Sequence, residues 1–219
     1  MEDFILRHLE MGRRATDFII TYAAAFPAAS RASALIAIIN AAVKTLETAG
    51  NKQDAADLDG QQATDEKQAA LAVLVGLMRP INQTARGMEK LYPGISSRFK
   101  MPRGSAQNFI NRARAYIAEG TPMAAEFTSR GFPANFLTTL EAAVVAVESA
   151  IDRQNQARNA QTAATASLVA AQQQLVDAVH EFNPIVRNVF SADPAALAAW
   201  ESASHVERAP KKATKKKTT

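Results

Sequence analysis

The chain has no cysteine, and it is sparing with glycine (nine), proline (nine) and aromatics (6 % of 219 residues). Without cysteine there are neither disulfides nor thiolate metal sites, which favours a reducing, cytoplasmic setting. Few glycines and prolines leave long stretches in which nothing interrupts a helix. Long apolar runs are also missing. The longest, Ala69 to Met78, is too short to span a bilayer, so no membrane partner is expected. The first residues include Glu2, Asp3 and Arg7 and lack a basic stretch followed by an apolar block, so no secretory leader is expected. The nucleotide and hydrolase signatures are absent as well: no P-loop, no G-x-G-x-x-G, no G-x-S-x-G and no HExxH.

What is present is an alanine-dominated apolar fraction of 47 %, with 21 % charged residues. That profile predicts an all-α protein, an elongated antiparallel helical bundle with two very long helices, a kinked shorter helix pair and a short C-terminal helix. From Ala134 to Phe190, residues Leu137, Leu140, Val144, Val147 and Ile151 recur at three- and four-residue steps on one helical stripe. The stripe continues through polar Gln154, Arg158, Gln161 and Thr165. It turns apolar again at Leu168, Leu175, Val179, Phe182, Val186 and Val189, and Pro184 is expected to kink the helix without ending it.

A second pattern runs from Ala28 to Leu91. One line is Leu35, Ala42, Ala49, Ala56, Ala63, Ala70, Leu77, Thr84 and Leu91; the other is Ile39, Leu46, Gln53, Gly60, Lys67, Leu74, Ile81 and Met88. A seven-residue repeat of this kind predicts coiled-coil-like packing on another long helix. Gly50 and Gly60 leave a loop over 50–61 as the alternative, but a loop has no reason to keep a heptad. A continuous antiparallel pair would be roughly 95 Å long and would set Leu46 by Leu175 and Leu74 by Val147. The expected organisation is one helical domain, 1–208, with two lobes (1–49 plus 168–208, and 70–151) joined by a polar two-helix waist, and a disordered tail, 209–219.

Around these long helices, Phe4, His8, Met11, Ala15, Phe18, Tyr22 and Phe26 predict a first helix closed by Pro27. Ile95, Phe99 and Met101 are inward anchors of a loop over 93–104, and Ser105 is a cap for a helix carrying Phe109 to Ile117. Gly120-Thr121-Pro122 breaks that helix, and Gly131-Phe132-Pro133 turns the next corner. Asp193-Pro194 starts the last helix, which Trp200 should pin to the bundle.

The stretches GFPANF at 131–136 and AAWESASHVERAP at 198–210, with the helical spacing between them, resemble a family of hypothetical bacterial all-helical proteins. The resemblance covers most of the chain up to Pro210. It implies an all-helical fold and no particular activity, cofactor or partner.

The net charge of +4 is unevenly placed. The terminal KKATKKKTT carries Lys211, Lys212, Lys215, Lys216 and Lys217, so the rest of the chain is near neutral. Arg79 to Arg114 sets eight cations, among them Arg98, Lys100 and Arg103, against the single acid Glu89. Both regions are candidate contacts for nucleic acid or an acidic protein, because clustered Lys and Arg displace counterions from phosphates without reading bases. The alternative for 79–114 is internal pairing with Glu119, Glu126, Glu141 and Glu148.

Catalytic constellations are thin. Asp177 and His180 have the spacing of half a di-iron site, but the second Glu-x-x-His such a site needs is missing. Glu201 and His205 suit a helix-end ion pair. His8 reads as a packed residue, and no cofactor or metal is expected. The expectation is a non-enzymatic structural or interaction protein, with non-sequence-specific nucleic-acid binding as the alternative. The alanine-rich seams can also close on a second copy, so a homo-oligomer is a further candidate.

Overall fold

The structure, a computed structural model, describes residues 3–207. These residues are almost wholly helical, with no strand among them. Helix α1 is Asp3–Thr21, α2 Arg31–Met88, α3 Ile95–Arg98, α4 Ala106–Gly120, α5 Ala124–Thr128, α6 Phe136–Val189 and α7 Pro194–Ser204. The two long helices, α2 and α6, pack against each other, and the all-α bundle is the fold the periodicity predicts.

Helix α2 is unbroken for 58 residues and passes through both Gly50 and Gly60, so the alternative loop over 50–61 does not form. Each glycine costs about 1 kcal/mol relative to alanine in a helix. Here the backbone ladder continues through both. Pro80 in α2 and Pro184 in α6 are likewise carried inside the helices.

One of the two heptad lines leaves the core toward its end. Leu35, Ala42, Ala49, Ala56 and Ala63 are buried, but along that line Leu91 is 68 % exposed. The second line keeps its place, with Leu74, Ile81 and Met88 buried as Ile39 and Leu46 are, and Met78 and Ala85 join it. An α-helix of 3.6 residues per turn falls behind a strict seven-residue repeat by about 20° per heptad, which turns the first line outward. At the end of α6, Val189 is exposed and Phe190 is buried in its place.

The chain divides into two compact units, one formed up to Ala56 and again from Ala160, the other Asp57–Asn159. In the first, α1 and α7 pack on the N-terminal part of α2 and the C-terminal part of α6, and Leu46 and Leu175 share one core. Phe18 and Phe182 each contact the Trp200 ring, and Phe26 contacts Phe182 and Phe190. Gly12 allows this closeness, since a Cβ there would lie 2.7 Å from Leu175 Cδ2 and 2.8 Å from Val43 Cγ2. Asp193 caps α7 by accepting from the amides of Ala195 and Ala196 at 3.1 and 3.0 Å. Trp200 Nε1 donates to Asn183 Oδ1 at 2.9 Å, tying α7 to α6 as its single tryptophan suggests.

In the second unit Leu74 and Val147 share a core with Phe99, Tyr116, Phe127 and Phe136. A half-buried polar layer lies next to it. Lys67 Nζ donates to Gln154 Oε1 (2.8 Å), Gln154 Nε2 to Thr64 Oγ1 (2.9 Å), and Thr64 Oγ1 to the Gly60 carbonyl (2.8 Å). Beside it Arg153 pairs with Glu66 at 2.8 Å. Gly131 makes the corner before α6 at φ +93°, which a side chain would strain.

Several local expectations are corrected. Helix α1 stops at Thr21 and a 3-10 turn over Ala23–Ala25 follows, since the chain must bend before Pro27. The 93–104 segment is not all loop, because Ile95–Arg98 closes a helical turn. Ser105 occupies the cap position of α4 but makes no side-chain cap bond; Asn108 Nδ2 instead reaches back to the Arg103 carbonyl at 2.9 Å.

Candidate functional site

The basic region of 79–114 lies in the second unit, and its eight cations fall into three groups. Arg98 and Arg114 are paired internally, to Glu119 at 3.4 Å and to Glu148 at 2.7 Å. Arg112 is spent on the backbone: its Nε donates to the Lys100 carbonyl at 2.9 Å and its Nη2 to the Ser97 carbonyl at 2.7 Å. The remaining five, Arg79, Arg86, Lys90, Lys100 and Arg103, are exposed and form no ion pair among the described residues.

These five lie on two elements. Arg79, Arg86 and Lys90 follow one another at seven and four residues, which sets Arg79 and Arg86 on one stripe of α2 and continues it to Lys90, just past the helix end. Asn82, on the flank of that stripe, donates to the Phe99 carbonyl at 2.7 Å, and the Tyr116 hydroxyl bonds the same oxygen. Together with the Arg112 clamp, these bonds hold segment 97–100 against α2 and α4. Burial of Tyr116 pushes its phenol up to about 12, so its hydroxyl stays a donor throughout the physiological range.

Glu89, the one acid in the region, does not neutralise its neighbours. Its carboxylate accepts from the Gly94 and Ser96 amides at 2.7 Å each. The Ser96 side chain first, then the Ser96 and Gly94 amides, hold it below the usual carboxylate range. Glu126 serves Arg130 at 2.7 Å, and this contact, ahead of a hydrogen bond from Tyr92, lowers its own pKa. Of the sequence-predicted site residues, then, Arg98 is internally paired, while Lys100 and Arg103 are exposed and without an ion pair among the described residues. Lys211, Lys212, Lys215, Lys216 and Lys217 lie outside the described residues.

The other chemical candidates separate. Asp177 accepts from Gln173 at 2.8 Å, and no group of three or more metal-ligating side chains forms among the described residues. Glu201 turns to Arg187 at 3.2 Å, not to His205. The backbone carbonyl of His205 takes Arg14 at 2.6 Å instead. His8 is packed, as its place on the α1 stripe suggests: it is 7 % exposed, with Nδ1 2.8 Å from the Phe4 carbonyl oxygen. Helix α2 contains one 18-residue window of mean hydropathy 1.3 whose length and composition would cross a membrane, although no run of consecutive apolar residues indicates it; 39 % of that window is buried inside the fold. No protein-family model, curated protein or solved structure matches the chain.

Proposed function

We propose that the chain is a non-enzymatic helical scaffold that works through contacts with other macromolecules. The observation that supports this is the continuity of α2 and α6, 58 and 54 residues, each of which contributes to the cores of both units. Continuous helices of this length present long outward faces, and on these faces Leu58, Val73, Val145 and Val169 are more than half exposed. Native mass spectrometry of the protein isolated from its own cells is the test. Complexes with protein, nucleic acid or further copies of the chain support the reading. A lone 23.5-kDa chain under all conditions overturns it.

A second reading, non-sequence-specific binding of nucleic acid, is favoured by the five cations that lack ion pairs on the α2 stripe and segment 100–103, with the Lys211–Lys217 cluster as a further contact. Binding to duplex DNA should weaken steeply with salt. With five lysines of the tail engaged, the slope of log K against log salt is roughly −4 to −5. Removal of Lys211 to Thr219 is expected to lower that slope. What remains should respond to Ala at Arg79, Arg86, Lys100 and Arg103, and heparin should raise the melting temperature of the tail-less protein but not of this variant. Equal binding by the full-length, tail-less and substituted proteins would refute the assignment.

A further inference from the structure

The chain has three histidines, and although they stand at positions 8, 180 and 205, all three line one cavity of about 490 Å³ in the first unit. That volume lies within the range of ordinary small-molecule pockets, about 300–1,000 Å³. Its floor is apolar, from Met11 of α1, Val176 and Val179 of α6 and Val206 beyond α7. One wall is fixed from behind, since Arg14 holds the His205 carbonyl at 2.6 Å and the Glu207 carboxylate at 3.6 Å.

The polar groups on the walls are unequally occupied. Asn183 Oδ1 already accepts from Trp200 Nε1 at 2.9 Å and from Arg187 Nε at 3.4 Å, which leaves its amide N–H groups for another partner. The Ser204 hydroxyl donates to the Trp200 carbonyl. Glu201, the one carboxylate in the lining, is held by Arg187 at 3.2 Å. The guanidinium of Arg187 keeps further N–H groups, and His180 and His205 add two imidazoles. The wall therefore offers the N–H groups of Arg187 and Asn183 to a ligand that brings acceptors.

His8 refines this. Its Nδ1 faces a carbonyl oxygen, which only accepts, so Nδ1 carries the proton and Nε2 is the ring nitrogen left for a ligand. His8 is more than nine-tenths buried, lines the cavity, and makes no other hydrogen bond among the described residues. The three imidazoles do not converge on one point as metal ligands would. We propose that this cavity binds a small organic carboxylate with an apolar body and a hydroxyl group. The carboxylate meets Arg187 and the Asn183 amide, the apolar body lies on the valine and methionine floor, and the hydroxyl group bonds His8 Nε2.

The three histidines supply their own reporter, because their ring C–H signals are the only ones of that kind in a proton NMR spectrum of the full-length chain. Titration with 3-phenyllactate is expected to shift all three sets together and to saturate. The neutral 3-phenyllactamide should do so at least about tenfold more weakly, and Val176→Phe should abolish the response by filling the cavity. Arg187→Gln, on the exposed rim where folding is not at stake, should weaken binding by about tenfold. The site is overturned if the signals do not move at millimolar probe, or if both variants bind as the parent does. Equal binding of acid and amide would overturn the carboxylate assignment.

Discussion

The two units treat their charges differently. In the first, cations on one helix find carboxylates on another: Arg13 meets Glu47, Arg31 meets Glu181 and Arg187 meets Glu201. In the second, Arg98, Arg114 and Arg153 are paired in the same manner. Yet Arg112 is used to hold backbone carbonyls, and five exposed cations are left without ion pairs among the described residues. Like charges gathered without partners oppose the compact state. The second unit carries that cost on a segment fastened by Asn82, Arg112 and Tyr116, whereas the first has no comparable excess among its described residues. A stiffly held, uncompensated face suits recognition, and cross-helix pairing suits helix alignment.

The contrast can be broken most severely at its cores. Trp200 is 1 % exposed and bonded to Asn183, so Trp200→Ala is expected to cost about 3–5 kcal/mol in urea unfolding followed by far-ultraviolet circular dichroism. A loss below about 1 kcal/mol would mean that α7 is not pinned by this ring. In the second unit, Arg112→Met removes both clamp bonds and should cost about 1–2 kcal/mol. Arg98→Met and Arg114→Met, which break exposed ion pairs, should each cost less than about 1 kcal/mol. If all three arginines were equal, Arg112 would be an ordinary surface cation and the fastening of segment 97–100 would lose its support. Asp193→Ala, which frees the amides of Ala195 and Ala196, should cost about 1 kcal/mol.

The long helices were legible in the sequence because hydrophobic period is a local signal summed over many turns. The heptad carried α2 correctly through two glycines, and Asp193-Pro194 marked α7. Of the heptad's two lines, the one through Leu74, Ile81 and Met88 stayed buried, whereas the one ending at Leu91 turned outward, because a fixed seven-residue line ignores the rotation of a real helix. The basic region was visible as composition, but its division into paired, clamping and open cations was not. Contacts such as Arg112 to the Ser97 and Lys100 carbonyls, or Glu201 to Arg187, join side chains to groups that no spacing rule names. The gathering of three histidines at positions 8, 180 and 205 had no sequence signal at all, since it depends on α1, α6 and the end of α7 meeting in space.

The smallest effect is the most diagnostic of why the second unit keeps its charge. Glu89 sits beside Lys90 and one turn from Arg86, where a carboxylate would be expected to neutralise them, but it is committed to the Ser96 and Gly94 amides. Its folded pKa is depressed below the ordinary value near 4.5, so the stability it contributes is fully present above about pH 4.5 and is lost as pH falls through the folded value. Glu126 and Glu181, depressed by Arg130 and Arg31, act in the same direction. Glu89→Gln, whose single carbonyl oxygen is a weaker acceptor for the two amides, should therefore lower stability modestly at pH 7. It should also make the decline toward pH 3 shallower without abolishing it. Denaturant unfolding of parent and variant at several pH values measures both. Parallel curves would show that the carboxylate does not hold the 94–96 turn, and Glu89 would then be free to pair with Arg86 or Lys90, closing part of the face that distinguishes the two units.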